Sequence, residues 1–329
     1  MIKPGESGIF SIRTAADFNI MALEIFRYQA VHNPVYHDFL LNLRVEPSGI
    51  TDFREIPFLP VSFFRTHKII SGNHEPEVVF ESSGTTGTAS SRHYVSDTRL
   101  YKTSFLTGFR QFYGDPGDYM IAGLLPSYTE RENSSLVYMV NELIRLSDYS
   151  GSGFYKDNFT ELLEKTGKAV AYKKKVLLLG VSFALLDLAE NLSPDLSGVI
   201  VMETGGMKGR RKELTREELH QQLTEKLNVK QIHSEYGMTE LLSQAYSKGG
   251  GIFNSPGWMK ILIRDPLDPL SLLTETGRTG GINVIDLANI SSCSFIATDD
   301  LGRIGDDDSF EVLGRIDNSD VRGCNLLVS

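Results

Sequence analysis

The stretch ESSGTTGTASSRH at 81–93 strings small hydroxylated residues around two glycines and carries no apolar anchor of its own. Successive backbone N–H groups in such a loop can surround phosphate oxygens, and the hydroxyls of Ser82, Ser83, Thr85, Thr86 and Thr88 add donors without bulk. No lysine follows the second glycine and the spacing is wrong for a GxxxxGK[ST] loop. On its own the run also reads as a solvated turn.

Further along, HSEYGMTELLSQAY (233–246) gathers an aromatic, a glycine, a threonine and a glutamate ahead of a segment with helix-like spacing. Tyr236 offers a face for a purine, Thr239 a hydroxyl for phosphate, and Glu240 a carboxylate for Mg²⁺. A turn between strand and helix is the plain alternative. In ATDDLGRI (297–304) and VLGRIDNSDVRG (312–323), Asp300 suits ribose hydroxyls and Arg315 can bridge ribose or phosphate, though each run also reads as an acidic surface turn.

The elements that must position these runs follow from hydrophobic period. Residues 15–44 have helical spacing interrupted by Pro34, which predicts two opening helices, followed by the extended, proline-punctuated EIPFLPVSFFRTHKII. EVVFESSGTTG reads as a strand entering the glycine loop, with a helix in TRLYKTSFLTGFRQFYG behind it. Strand and helix then alternate through YMIAGLLPSY, SSLVYMVNELIRL, KKVLLLG, FALLDLAENL, GVIVMETGG and TREELHQQLTEKL, which predicts an α/β fold with a doubly wound, mostly parallel sheet. After about residue 250 the texture changes to short glycine-punctuated strands (MKILIRD, GINVIDL, SFIATDD, FEVLGRID). The expected organisation is an α/β core over 1–250 and a smaller β-rich, barrel-like subdomain over 251–329, with KGGGIFNSPG as the joint.

Composition narrows the class. A chain of 329 residues with 41% hydrophobic and 23% charged residues can bury a large core without staples. A net charge of −9, with basic residues only in short clusters, argues against nucleic acid as a partner. Two cysteines, Cys293 and Cys324, are too few for a disulfide framework, the N-terminus lacks a signal-peptide apolar stretch, and no apolar run is long enough to span a bilayer. The expected setting is cytoplasmic. Cys293, in SSCSFIA, has strand spacing and is expected in the core; His93 is expected at the surface or against a phosphate, and His233 either along an acyl pocket or as an ordinary strand-end residue.

Taken together and in order, the four runs resemble the adenylate-forming superfamily of acyl-CoA synthetases, luciferases and peptide-synthetase adenylation domains, over residues 82–323. NPVYHDFL, IPFLPVSFF, LLPSYTERENSSL and the ending VRGCNLLVS further resemble the acyl-protein synthetase (LuxE-type) branch, associated with bacterial fatty-acid reductases, so nearly the whole chain is covered. The resemblance implies ATP and Mg²⁺ as cofactors. It assigns Ser82, Ser83, Gly84, Thr85, Thr86, Gly87 and Thr88 to the phosphate loop, Gly205 and Gly206 to the adenine side, and Tyr236 with Gly237 to the stacking motif. Thr239 becomes the phosphate-side threonine, Glu240 the metal ligand, and Asp300 and Arg315 the ribose contacts. Three positions depart from the family pattern: Ser90 and Asp320 stand where lysines are usual, and Asp299 where a glycine is usual. The resemblance places a mobile C-terminal domain with a catalytic lysine after the hinge motif, and that domain is expected to be absent here.

Charge for the reaction could instead come from MKGRRK, with Lys208 the first candidate, although such a run also reads as a basic surface turn. Cys324 follows Arg322-Gly323, and a neighbouring guanidinium lowers a thiol pKa. The resemblance implies that it receives the acyl group, since acceptor cysteines of that branch lie near the C-terminus; a buried cysteine in a last strand is the other reading. The expected activity is activation of a carboxylic, fatty-type acid and its transfer to a protein thiol, with a reductase or acyl carrier protein as partner. An acyl-CoA ligase resembling phenylacetate-CoA ligase and a non-catalytic nucleotide-binding or scaffold protein stay open as alternatives.

Overall fold

The computed structural model describes residues 4–83, 90–126, 130–205 and 214–316. The chain enters through α1 (Glu6–Ile9), α2 (Ala15–His32) and α3 (Pro34–Asn42). Thr14 and Asp17 form a capping box that starts α2, and Pro34 occupies the first position of α3, where its missing N–H costs nothing. β1 (Leu59–Pro60) lies parallel to a later strand through Leu59–Ile296 and Pro60–Ala297, and the short α4 (Phe63–Thr66) follows it.

β2 (Val78–Glu81) and β3 (Arg92–Val95) form a separate antiparallel pair. This corrects the strand–loop–helix reading: the glycine loop joins two strands, and α5 (Thr98–Tyr113), capped by Asp97, begins only after β3. β3 is too short for its alternation to stand out against the polar loop before it.

The expected alternation comes next, as β4 (Tyr119–Leu124), α6 (Ser135–Leu146), β5 (Gly153–Phe154), α7 (Phe159–Ala171), β6 (Lys175–Val181), α8 (Ser182–Leu192), β7 (Val199–Thr204), α9 (Arg216–Leu227) and β8 (His233–Tyr236). The strands stand in the order β5-β4-β6-β7-β8 and all are parallel. Neighbouring side chains go to opposite faces. Ile121, Leu177, Leu179 and Met202 join a core shared with α2 and α5, while Ala122, Leu178 and Val201 join one covered by α7, α8 and α9. Burial on both faces is why these strands read as continuous apolar runs.

Beyond β8 the pairing becomes antiparallel. β9 (Ala245–Ser247), β10 (Ile252–Asn254), β11 (Met259–Arg264), β12 (Leu272–Leu273), β13 (Gly280–Asp286), β14 (Phe295–Ile304) and β15 (Phe310–Arg315) extend the same sheet in the order β8-β9-β10-β15-β14-β13-β11-β12. The helix expected after YGMTE is absent: Leu241–Gln244 is a buried irregular segment leading into β9. Its apolar spacing serves burial from several sides rather than one helical face. Among the described residues, no helix is long and apolar enough to cross a membrane.

Phe295, fully buried at the start of β14, ties the N-terminal helices to the sheet. Its ring lies 6.0 Å from that of Phe26, 6.2 Å from Tyr36 and 6.4 Å from Phe58. We expect Phe295→Ala to lower the unfolding free energy by about 3–5 kcal/mol, measured by urea titration; a loss below about 1 kcal/mol would show that the helices dock independently of this ring.

Candidate functional site

The neck of the glycine loop is closed by two serines. Ser82 N–H donates to the Ser91 carbonyl at 3.0 Å, and Ser91 N–H donates to Ser82 Oγ at 2.9 Å. Ser82, expected as a phosphate donor, therefore spends one of its two oxygen lone pairs on holding the neck and keeps its own proton to donate. Ser83 is exposed. Ser91, to which sequence reasoning gave no role, is buried, and its hydroxyl favours the charged form of the Glu240 carboxyl.

Glu240 stands at the end of a segment whose backbone has no ladder to satisfy it. His93 lies on β3 with its Nδ1 2.8 Å from the Thr239 carbonyl and its Nε2 3.0 Å from Asn289 Oδ1. Asn289 Nδ2 donates to the carbonyls of Glu240 and Cys293, at 2.7 and 2.9 Å. Asp286 accepts from Leu242 N–H, Ser243 N–H and Ser243 Oγ, at 2.7, 2.9 and 2.6 Å. His93 is thus neither a surface residue nor free to meet a phosphate: it is 1% exposed, and desolvation pulls its pKa down to about 4. Thr239 is half-buried, and Glu240 is 5% exposed with its carboxyl raised, first by burial. The Arg65 guanidinium works against that rise.

Tyr236 ends β8. Its ring is packed edge-on by Phe253 and Phe310, and its hydroxyl donates to Asp300 Oδ2 at 2.9 Å. Asp300 faces Arg315 across the β14–β15 ladder, with Arg315 Nε 3.6 Å from Asp300 Oδ1. The three residues that spacing alone left far apart are therefore one cluster. Burial raises the Asp300 carboxyl, with Arg315 and Tyr236 opposing. Asp299, the residue in place of the usual glycine, pairs with Arg65 of α4 at 3.6 Å. Parallel pairing of β1 with β14 delivers α4 to this spot, so the only sequence signal for Arg65 was its place behind a proline-punctuated strand.

Gly205 follows β7 in a left-handed conformation (φ +63°) that favours glycine. Gly237 is held to glycine by proximity: a Cβ there would lie 2.3 Å from Glu235 Oε1. His233 sits half-buried at the start of β8, its Nδ1 3.0 Å from the Tyr113 hydroxyl, the placement expected of an ordinary strand-end residue. Cys293 is fully buried, as expected, and burial pushes its thiol up to about 12. Gly84, Thr85, Thr86, Gly87, Thr88, Gly206, Lys208, Asp320 and Cys324 lie outside the described residues.

Beneath this floor two buried carboxylates behave oppositely. Burial works to raise Glu203, but His220, Arg216 and Ser234 overcome it and hold the group below its usual range. Glu235 accepts a hydrogen bond from Thr204 Oγ1, yet burial, with the charge of Glu203 adding, raises its carboxyl to about 7 from 4.5. A carboxyl raised on folding contributes its stability fully below the unfolded pKa and loses it as pH rises through the folded one. Relative to wild type, Glu235→Gln should therefore gain about 1.4 kcal/mol per pH unit between about pH 5 and 7. Paired denaturation curves across that range test this, and a pH-independent difference would mean that Glu235 is ionised throughout.

No protein-family model matches the chain. It is similar to the "Long-chain-fatty-acid--luciferin-component ligase" of Vibrio harveyi, 23% identical over 329 residues that cover 92% of this chain and 85% of that protein. Among solved structures it is similar to ATP-bound MatB from Rhodopseudomonas palustris, with a TM-score of 0.53 and 18% identity, covering 72% of this chain and 47% of that one. It is also similar to the luciferase-like enzyme of the nonluminescent mealworm Zophobas morio, with a TM-score of 0.51 and 16% identity, covering 86% and 70%. The chain thus spans about half the length of the MatB structure. Fold and sequence likeness together give the chain the fold of these two enzymes and a similarity over most of its length to the long-chain fatty-acid ligase.

Proposed function

We propose that this chain uses ATP to activate a carboxylic acid, of fatty-acid type, as an acyl-adenylate and then passes the acyl group to a thiol. The observation that carries this reading is the meeting of the loop neck, Glu240 and the Tyr236–Asp300–Arg315 cluster around the ends of β8 and β15 and the middle of β14. The similarity to a long-chain fatty-acid ligase supports the class of acid.

In the first step a carboxylate oxygen attacks the α-phosphorus and the bond to pyrophosphate breaks. Both reactants are anions, so positive charge must stand close by. Arg65 and Arg315 flank the carboxylates of Asp299 and Asp300, and each keeps a solvent-facing side for further contacts. The residues suit a bound Mg²⁺. Glu240 is a desolvated carboxylate whose charged form a cation would favour, as the Ser91 hydroxyl already does. When bound, that ion would neutralise phosphate charge, and one or two carboxylates suffice because Mg²⁺ keeps water and substrate oxygens as its remaining ligands. Among the described residues, no group of three or more His, Cys, Asp and Glu side chains could hold a metal on its own.

In the second step a thiolate attacks the acyl carbonyl and the bond to AMP breaks. Cys324 is the acceptor in this reading, and an acyl-CoA reductase or carrier protein is the onward partner. ATP–pyrophosphate exchange with a panel of acids tests the first step, and failure with every acid would sink it. Glu240→Gln should reduce exchange about a hundredfold or more. Incubation with ATP, Mg²⁺ and fatty acid should label the protein through a hydroxylamine-sensitive bond. Cys324→Ala should abolish the label and leave exchange intact. Equal labelling of that variant would reject Cys324, and steady acyl-CoA release by it would make coenzyme A the acceptor.

A further inference from the structure

Arg216, at the first position of α9, lies outside every motif that the sequence singles out. Its guanidinium sits over the Phe253 ring, 4.8 Å from the centroid, and Phe253 in turn packs on Tyr236 with ring centroids 6.0 Å apart. Nη1 is 3.7 Å from Glu203 Oε1, an ion-pair distance too long for a hydrogen bond. Nε and Nη1 are both buried and neither has a hydrogen-bond partner among the described residues. The stem of the side chain passes the left-handed Gly251, where a Cβ would lie 2.8 Å from Arg216 Cδ. On its far side Arg216 also favours the charged form of Asp300, the acceptor of the Tyr236 hydroxyl.

A purely structural arginine would not leave two buried N–H groups unmet, since each costs about 1–3 kcal/mol. Two such donors beside the Tyr236–Asp300 pair imply an acceptor that arrives with a ligand. Its position decides which part of the ligand. Ser91 of the loop neck acts on Glu240, whereas Arg216 lies against Phe253 and Glu203 and acts on Asp300, the partner of Tyr236. Glu203 also offsets much of its charge, which suits a neutral acceptor better than a phosphate.

We propose that Arg216 is a specificity residue for the nucleoside: Nε–H and Nη1–H donate to a neutral oxygen or nitrogen on the adenosine end of the nucleotide, a ribose oxygen or a purine ring nitrogen. This rests on the ATP-dependent reading above and adds to it a residue that distinguishes one nucleoside from another.

Direct binding of ATP to the whole chain, read by calorimetry beside pyrophosphate exchange, separates the two ideas. Arg216→Met should weaken ATP binding about tenfold, the equivalent of one charge-assisted hydrogen bond, and raise KM for ATP with kcat little changed. Analogues locate the acceptor: 2′-deoxy-ATP and 3′-deoxy-ATP each lack a ribose oxygen, and 7-deaza-ATP lacks a ring nitrogen. One of them should bind wild type about tenfold more weakly than ATP, and that discrimination should vanish in Arg216→Met. Arg216→Lys keeps the charge beside Glu203 but lacks the planar fork. It should fold as wild type does and lose the same discrimination, which guards against a Met variant that merely fails to fold. If discrimination persists in Arg216→Lys, or if Arg216→Met weakens all nucleotides equally, Arg216 is only a support for Glu203 and the inference falls while exchange stands. If wild type neither binds ATP nor catalyses exchange, both readings fall together.

Discussion

A desolvated carboxylate and a neighbouring amide hold the site in place. Asp286, which ends β13, and Asn289, in the connection to β14, are both fully buried and satisfy the backbone from Glu240 to Ser243, where no helix or strand does so. Buried peptide groups must find partners. In this segment the partners are side chains from more than forty residues away. Ser243 carries the clamp further, since its hydroxyl also accepts from Trp258 Nε1 at 2.9 Å and meets Ser104 of α5. The Glu240 carboxyl can therefore be presented from irregular chain without the flexibility that irregular chain usually has.

Around that anchor the charges are arranged by contact rather than by neighbourhood in the chain. Glu240 and Asp300 are both raised by burial; the charge of Asp300 adds to the rise at Glu240, while Arg65 opposes it there and Arg315 opposes it at Asp300. Arg65 reaches in from α4, Arg216 from α9 and Arg315 from β15, three elements with no shared motif. Asp299, which departs from the family pattern, is the partner of Arg65, so that departure comes with a compensating cation. Arg65 and Arg315 thus bring guanidinium groups to the carboxylates of Asp299 and Asp300.

The carboxyl ends of parallel strands are the general place for ligands in open α/β sheets. β7 and β8 end at Thr204 and Tyr236, one residue before the glycines that the family resemblance assigned to the nucleotide. The change from parallel to antiparallel pairing falls immediately after β8, which turns Asp300 and Arg315 of β14 and β15 back toward Tyr236. The geometry of the cleft is thus a consequence of where the sheet changes direction.

The alternating elements from β4 to β8 were legible in the sequence because strands buried on both faces read as unbroken apolar runs and their helices carry caps such as Thr215 with Glu218. The runs holding Tyr236, Glu240, Asp300 and Arg315 were legible because their chemistry is written in adjacent residues. The β2–β3 pair, the irregular segment after Glu240, the burial of His93 and the placing of Arg65 and Arg216 were not. Each depends on contacts between residues far apart in the chain: His93 with Thr239 and Asn289, Arg65 with Asp299, Asp286 with Leu242. Residue type and local period determine which elements form and which groups can do chemistry. Desolvation and long-range hydrogen bonding, which exist only once the chain has folded, decide which of those groups meet and in what state of charge.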